Sequence, residues 1–236
     1  MSAGSTPTRL RWGLPDALIA WIVGIVAAVI AAAPFIGSNG TIPDDREVTA
    51  TLVLLAVQNF AIIGSLLYIA RARGLGSLRR DFGFAFEVPD LVWVLGGVAL
   101  AVIAGILVVP ITELAGLKDS SQEVVNTFER SAGLAQKIAV CIGVVLVAPV
   151  AEELLFRGVL LRSLVRRTAP VVAVFVSALV FAVVHVIGDL GTGYYVPAFL
   201  LLGLVSGWRA VVTGRIGQSI ALHAGFNLLA AIQIVT

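Results

Sequence analysis

The chain has two histidines, and each stands inside a long apolar run: Phe181-Ala182-Val183-Val184-His185 and His223-Ala224-Gly225-Phe226-Asn227. A third apolar run contains Val150-Ala151-Glu152-Glu153-Leu154-Leu155-Phe156-Arg157-Gly158. Ionisable groups in such runs are expensive to bury, so they mark a partner, a cavity or a reaction. Glu152, Glu153, Arg157, His185, His223 and Asn227 are therefore the residues with chemistry to offer.

Spacing gives these residues roles. Glu153 and Arg157 are four apart with the acid on the N-terminal side, the favoured orientation for a helical ion pair. Glu152 points about 100° away from Glu153 on a helix and has no cation on its own turn. Glu153 is thus expected to hold Arg157, and Glu152 to face the site. His223 and Asn227, also four apart, share one helix face. Pro149 lies one turn before the carboxylates, where its missing N–H is expected to kink the helix and open room beside Glu152. Phe181 reads as a packing aromatic.

Depth brings the three segments together. The runs holding Glu152 and His185 are antiparallel and meet at Thr168-Ala169-Pro170, with the two residues about equally far from that turn. If Arg162 marks a membrane surface, Glu152 lies about 15 Å deep, and with Arg215 on the same surface His223 lies about 12 Å deep. One level for all three is the expectation.

Two chemistries use this set. In the first, the Glu152 carboxylate takes and returns a proton, activating water for attack on a peptide carbonyl with His185 beside it. His223 and the Asn227 amide then donate to the developing oxyanion. In the second, Glu152, His185 and His223 are ligands to a divalent metal such as zinc, with water in the open position. Other schemes lack their residues. There is no H-E-x-x-H and no glycine-rich phosphate loop, and Gly203-Leu204-Val205-Ser206-Gly207 is not a G-x-S-x-G elbow. Cys141, the sole cysteine, excludes an internal disulfide and a thiolate cluster, and reads as a small buried hydrophobe.

Glu152-Glu153-x-x-x-Arg157, Phe181-x-x-x-His185 and His223-x-x-x-Asn227, in this order, resemble the three motifs of the CPBP family. These are the CAAX-processing and bacteriocin-processing intramembrane proteases, also called the Abi family. The flanks Phe156-Arg157-Gly158 and Thr213-Gly214 resemble its members too, and the likeness covers about residues 135–235. It implies an intramembrane endopeptidase in which Glu152 and His185 activate water while His223 and Asn227 stabilise the oxyanion. Family members are described both as metalloproteases and as metal-independent glutamate proteases. Prenylated C-terminal motifs are substrates of the eukaryotic members, and no substrate is implied for this chain beyond a membrane-proximal peptide or protein.

The elements that must position these residues follow from composition. Hydrophobic residues make up 59% of the chain and charged residues 13%, with a mean hydropathy of +1.03. Soluble domains carry roughly a quarter charged residues, so the solvent for this apolar surface is the lipid bilayer. Seven stretches are long enough to cross it, at about 17–36, 49–70, 91–115, 136–160, 170–188, 194–212 and 216–235. The expected fold is an all-α polytopic transmembrane helix bundle of about seven spans. Residues 1–134 would supply N-terminal helices and interfacial segments, and 135–236 the catalytic helical core. Gly203 and Gly207 form a small-xxx-small packing face.

The arginines lie between apolar runs rather than in one patch, which argues for topology and against a nucleic-acid partner. With the N-terminus cytoplasmic, twelve Lys and Arg fall inside: Arg9, Arg11, Arg71, Arg73, Arg79, Arg80, Arg157, Arg162, Arg166, Arg167, Arg209 and Arg215. Four fall outside: Arg46, Lys118, Arg130 and Lys137. This bias predicts an integral protein of the cell membrane with its N-terminus in the cytoplasm. The first span also has the outline of a signal peptide, with Arg9 and Arg11 before an apolar run that ends in Ala31-Ala32-Ala33. Residues 76–90, mixing arginines with Phe82, Phe84 and Phe86, read as interfacial, and 118–134 as an outer loop or surface helix. Two other functions fit such a chain. One is a non-proteolytic scaffold or immunity-type protein that binds a peptide in the same fold. The other is a proton-coupled transporter, which the absence of an internal repeat disfavours.

Overall fold

The computed structural model describes residues 10–115, 133–187 and 190–235. Arg9, Lys118, Arg130 and nearly all of the expected 118–134 segment lie outside them. The described residues form helices and turns without a strand. In chain order these are α1 (Leu14–Ala32), α2 (Asp44–Arg73), the short α3 (Leu78–Phe82), α4 (Val92–Ala115), α5 (Leu134–Val165), α6 (Pro170–Val186), α7 (Val196–Thr213) and α8 (Gly217–Val235). The long rods among them correspond to the seven expected stretches. Five are long and apolar enough by themselves to cross a membrane: α1, α2, α4 and α7 with their flanking turns, and α5. α6 has 17 residues, about 25 Å at 1.5 Å per residue, and α8 has 19. The protein is an all-α membrane bundle.

Its surface is the inverse of a soluble one. Ile30, Leu95, Ile106 and Val171 are each about two-thirds or more exposed, whereas Asp81, Asp90, Glu153 and Arg157 are 0–1% exposed. Apolar side chains face outward because lipid welcomes them, and the charges turn inward to partners.

α5 is the axial rod, touched by α1, α2, α6, α7 and α8. α1 pairs with α2, α6 with α7, and α4 with α8. The α4–α8 crossing is close because glycine removes the obstacle on both sides. A Cβ at Gly97 would overlap the Leu222 carbonyl, and one at Gly225 the Val94 carbonyl. The expected Gly203–Gly207 face packs on α6, where a Cβ at Gly203 would fall 2.9 Å from Ala178 Cα. Cys141 points its thiol at the Ala231 carbonyl, 3.3 Å away, in the α5–α8 contact.

Most of the described arginines gather at one end, where the chain ties the helix termini together. Buried Asp81 accepts from the Trp12 indole at 3.1 Å and from the backbone N–H groups of Leu75 and Ser77. Arg166 lies over the Trp12 ring at 4.0 Å and donates to the Trp12 carbonyl. Arg162 donates to the Gly214 carbonyl, and Ile216 N–H to the Gly83 carbonyl. Arg215 pairs with Glu87 at 2.9 Å and with Asp90. Residues 76–90 are thereby bolted to the bundle, with Phe84 and Phe86 left exposed.

Gly97→Leu is expected to lower stability by about 1–3 kcal/mol through overpacking, read as a drop in Tm in detergent. Gly105→Leu on the same helix, where a Cβ meets nothing within 4 Å, is expected to leave Tm unchanged. Equal Tm values for the two variants would contradict the close α4–α8 crossing.

Candidate active site

The rod that carries the carboxylates is not a regular helix. α5 is α-helical over Leu134–Ile142, π-helical over Gly143–Val147, α-helical over Ala148–Glu153, π-helical over Leu154–Leu161 and α-helical again over Arg162–Val165. Wide turns therefore flank Glu152 and Glu153 on both sides. π turns place main-chain carbonyls out of the usual register and occur often at functional sites. Side chains of neighbouring helices collect two such carbonyls. Ser177 Oγ donates to Phe156 O at 3.2 Å, and Asn227 Nδ2 donates to Val144 O at 2.9 Å.

All six residues singled out by type and spacing lie on α5, α6 and α8. Glu153 Oε2 is 3.2 Å from Arg157 Nε, and both side chains are fully buried. The Arg157 guanidinium lies over the Phe181 ring at 4.4 Å and donates to Gly203 O at 3.4 Å. The expected Glu153–Arg157 pair is present, and Glu153 has a second partner that spacing did not reveal. Its Oε1 is 3.1 Å from His223 Nδ1. Because Glu153 faces a guanidinium it is a carboxylate, so His223 Nδ1 carries the proton of that bond.

Glu152 turns to the other side, as its 100° offset requires. Its Oε2 is 3.2 Å from His185 Nε2 and 3.7 Å from His223 Nε2. The His185 Nδ1 lies 2.7 Å from the Phe181 carbonyl one turn back, a contact that needs Nδ1–H. Both imidazoles thus spend Nδ1 on an anchor and aim Nε2 at the same carboxylate oxygen. Glu152, His185 and His223 meet at one level, as the antiparallel depths require. Glu152 and His185 are each 22% exposed, whereas His223 is 3% exposed. The cluster therefore has an open edge at Glu152 and His185 and a closed back at His223, Glu153 and Arg157.

Phe181 is wholly buried and central. It touches Phe156, His185, His223 and Phe199 with centroid separations of 4.2–6.4 Å, and Phe199 also covers the His185 ring at 4.6 Å. Phe181 fixes both imidazole planes. Asn227, by contrast, reaches the Val144 carbonyl of α5 rather than the carboxylates. Ser177, Phe199 and the Gly203 carbonyl were not visible as site residues. Ser177 sits eight residues before His185 on the same helix face, the one signal that would have found it.

The donors suit a divalent cation in kind: two imidazole Nε2 atoms and a carboxylate oxygen, each imidazole braced through Nδ1. Glu152 Oε2 is buried with no aligned hydrogen bond of its own. In placement the three are drawn together at hydrogen-bond separations, and among the described residues no group of three or more His, Cys, Asp or Glu has metal-cage geometry.

Residues 134–229 match the family model described as Type II CAAX prenyl endopeptidase Rce1-like. This is the CPBP/CAAX protease family that the three motifs resemble, and the match spans α5 to α8 and so all six residues. No curated protein and no solved structure matches the chain.

Removing Arg157 while leaving Glu153 strands a buried carboxylate, which costs about 3–5 kcal/mol. Arg157→Met is expected to lower Tm in detergent strongly, and Glu153→Gln/Arg157→Met to recover most of the loss. A double variant as unstable as the single one would contradict the charge pairing.

Proposed function

We propose, from the match of residues 134–229 to the Rce1-like CAAX endopeptidases, that this membrane protein is an endopeptidase of the intramembrane type. In this reading it hydrolyses a peptide bond of a membrane-proximal protein or peptide. The observation that carries it is the convergence of Glu152 Oε2 with two imidazole Nε2 atoms at 3.2 and 3.7 Å, on the only partly exposed edge of an otherwise sealed charged cluster.

His223, held through Nδ1 by Glu153, points Nε2 into the cluster; when that nitrogen carries a proton, its N–H is the donor for a carbonyl oxygen turning into an oxyanion. Glu152 and His185, at the open edge, hold the attacking water. Glu152 takes one of its protons as the oxygen bonds to the scissile carbon, then returns the proton to the leaving nitrogen as the C–N bond breaks. His185, anchored by Phe181 O, orients the water through Nε2. Arg157 reaches none of the reacting atoms; it fixes Glu153. The side chains that would hold a divalent cation are Glu152, His185 and His223, and such an ion supplies Lewis-acid polarisation when bound.

The arginine bias supports an orientation in which the Arg162–Arg215 end of the bundle, and with it the N-terminus, faces the cytoplasm. The substrate bond is then one that reaches the site from that side.

Cleavage of a library of membrane-proximal peptides by purified protein in liposomes tests the proposal. Glu152→Ala, His185→Ala and His223→Ala are each expected to lower the rate at least about 100-fold while the proteins still insert into the membrane. Full activity in any one removes that residue from the chemistry. Loss of wild-type cleavage to a strong chelator would assign a metal to the three donors. A folded wild type that cleaves nothing in a broad library, with a phenotype that survives Glu152→Ala, would support a peptide-binding scaffold instead.

A further inference from the structure

Asn227 and Pro149 are connected through the main chain of α5. In the π turn Gly143–Val147, the Ala148 N–H bonds to Gly143 O, five residues back. Continuing that register, the donor for Val144 O would be the N–H of residue 149, and Pro149 has none. In an α register the donor would be Ala148, already committed to Gly143. Neither register gives Val144 O a main-chain partner. Inside a bilayer-embedded bundle such a carbonyl must be satisfied from elsewhere. The Asn227 amide supplies the bond, with Nδ2 at 2.9 Å from Val144 O.

We propose that Asn227 is a positioning residue whose amide replaces the N–H missing at Pro149 and so locks the π register that aims Glu152. The consequence is angular. Passing from π to α register shifts the rod by one residue, and one residue turns a side chain by about 100°. Glu152 lies only three residues beyond Pro149 and meets both imidazoles through a single oxygen, so it would swing away from them. The one face of α8 that carries His223 and Asn227 thus grips α5 twice, at Glu153 through His223 and at Val144 through Asn227. This role differs from that of an oxyanion donor, which the family resemblance implies for Asn227. Its kinetic consequence rests on the protease reading above; the register lock itself does not.

The test restores the lost donor. Asn227→Ala is expected to lower kcat about 100-fold, the scale of a small displacement of a reacting group, with KM little changed. Pro149→Ala returns an N–H to position 149. The Pro149→Ala/Asn227→Ala double variant should therefore come within about 10-fold of Pro149→Ala alone. A double variant that falls 100-fold below Pro149→Ala makes Asn227 a direct donor to the reacting oxygen and overturns the proposal. A second measurement needs no cleavage and no active Pro149 variant. With ¹³C at the Val144 carbonyl and ¹⁵N at the Ala148 amide, Asn227→Ala should weaken the hydrogen bond at the first and move the resonance of the second. Unchanged signals at either atom overturn the proposal even if the protein cleaves peptides. Changed signals in a wild type that cleaves nothing would leave the lock standing and fault only the protease reading.

Discussion

A single carboxylate, that of Glu153, sets the terms for the rest of the bundle. It is fully buried in a protein whose outer surface is apolar, so it cannot exist there as an anion without donors. Arg157 answers one turn later, but a guanidinium has five N–H groups and brings its own demands. Gly203 O on α7 and the Phe181 face on α6 meet part of them. The other oxygen of Glu153 binds His223 on α8. One charge thereby specifies how four helices stand around each other. A buried ion pair adds little net stability over an apolar replacement; what this one supplies is a unique register among helices that lipid alone would let slide.

The same logic explains why α5 can tolerate two π turns. Such turns mispair carbonyls, which water would solvate in a soluble protein and which hydrocarbon will not. Ser177 takes Phe156 O, and the polar face of α8 takes Val144 O. The irregular stretches therefore sit where neighbouring helices carry hydroxyl or amide groups at the right height. Between them, the short α-helical turn Ala148–Glu153 presents the two carboxylates about 100° apart, one to the closed back and one to the open edge.

Much of this was legible before any coordinates. The seven apolar runs give the rods, and the polar residues stand out because lipid-facing helices have so few. The Glu153–Arg157 pair follows from a four-residue spacing, and the common level of Glu152 and His185 from equal distances to the Thr168–Pro170 turn. What was hidden depends on atoms without a sequence signature. The Glu153–His223 bond hides because a helical wheel assigns Glu153 to Arg157 and leaves no reason for a second partner. Pro149 signals disruption, but not that the disruption takes the form of a π turn, nor which side chain repairs it. Asp81 reads as one more charge in an interfacial segment, whereas it is the buried acceptor that joins α3 to Trp12.

That last junction bears on the site despite lying beyond it. His223 is seven residues from Ile216, whose N–H is bonded to Gly83 O, and Arg157 is five residues from Arg162, bonded to Gly214 O. The start of α8, the end of α7 and the end of α5 are therefore pinned to one another within about two turns of the cluster. Over so short a lever a helix has little freedom to tilt or turn. The arginines at the basic end and the Glu152–His185–His223 cluster thus form one mechanical unit. The Glu152–His185 edge can stay partly open because the helices around it are fixed at their basic ends.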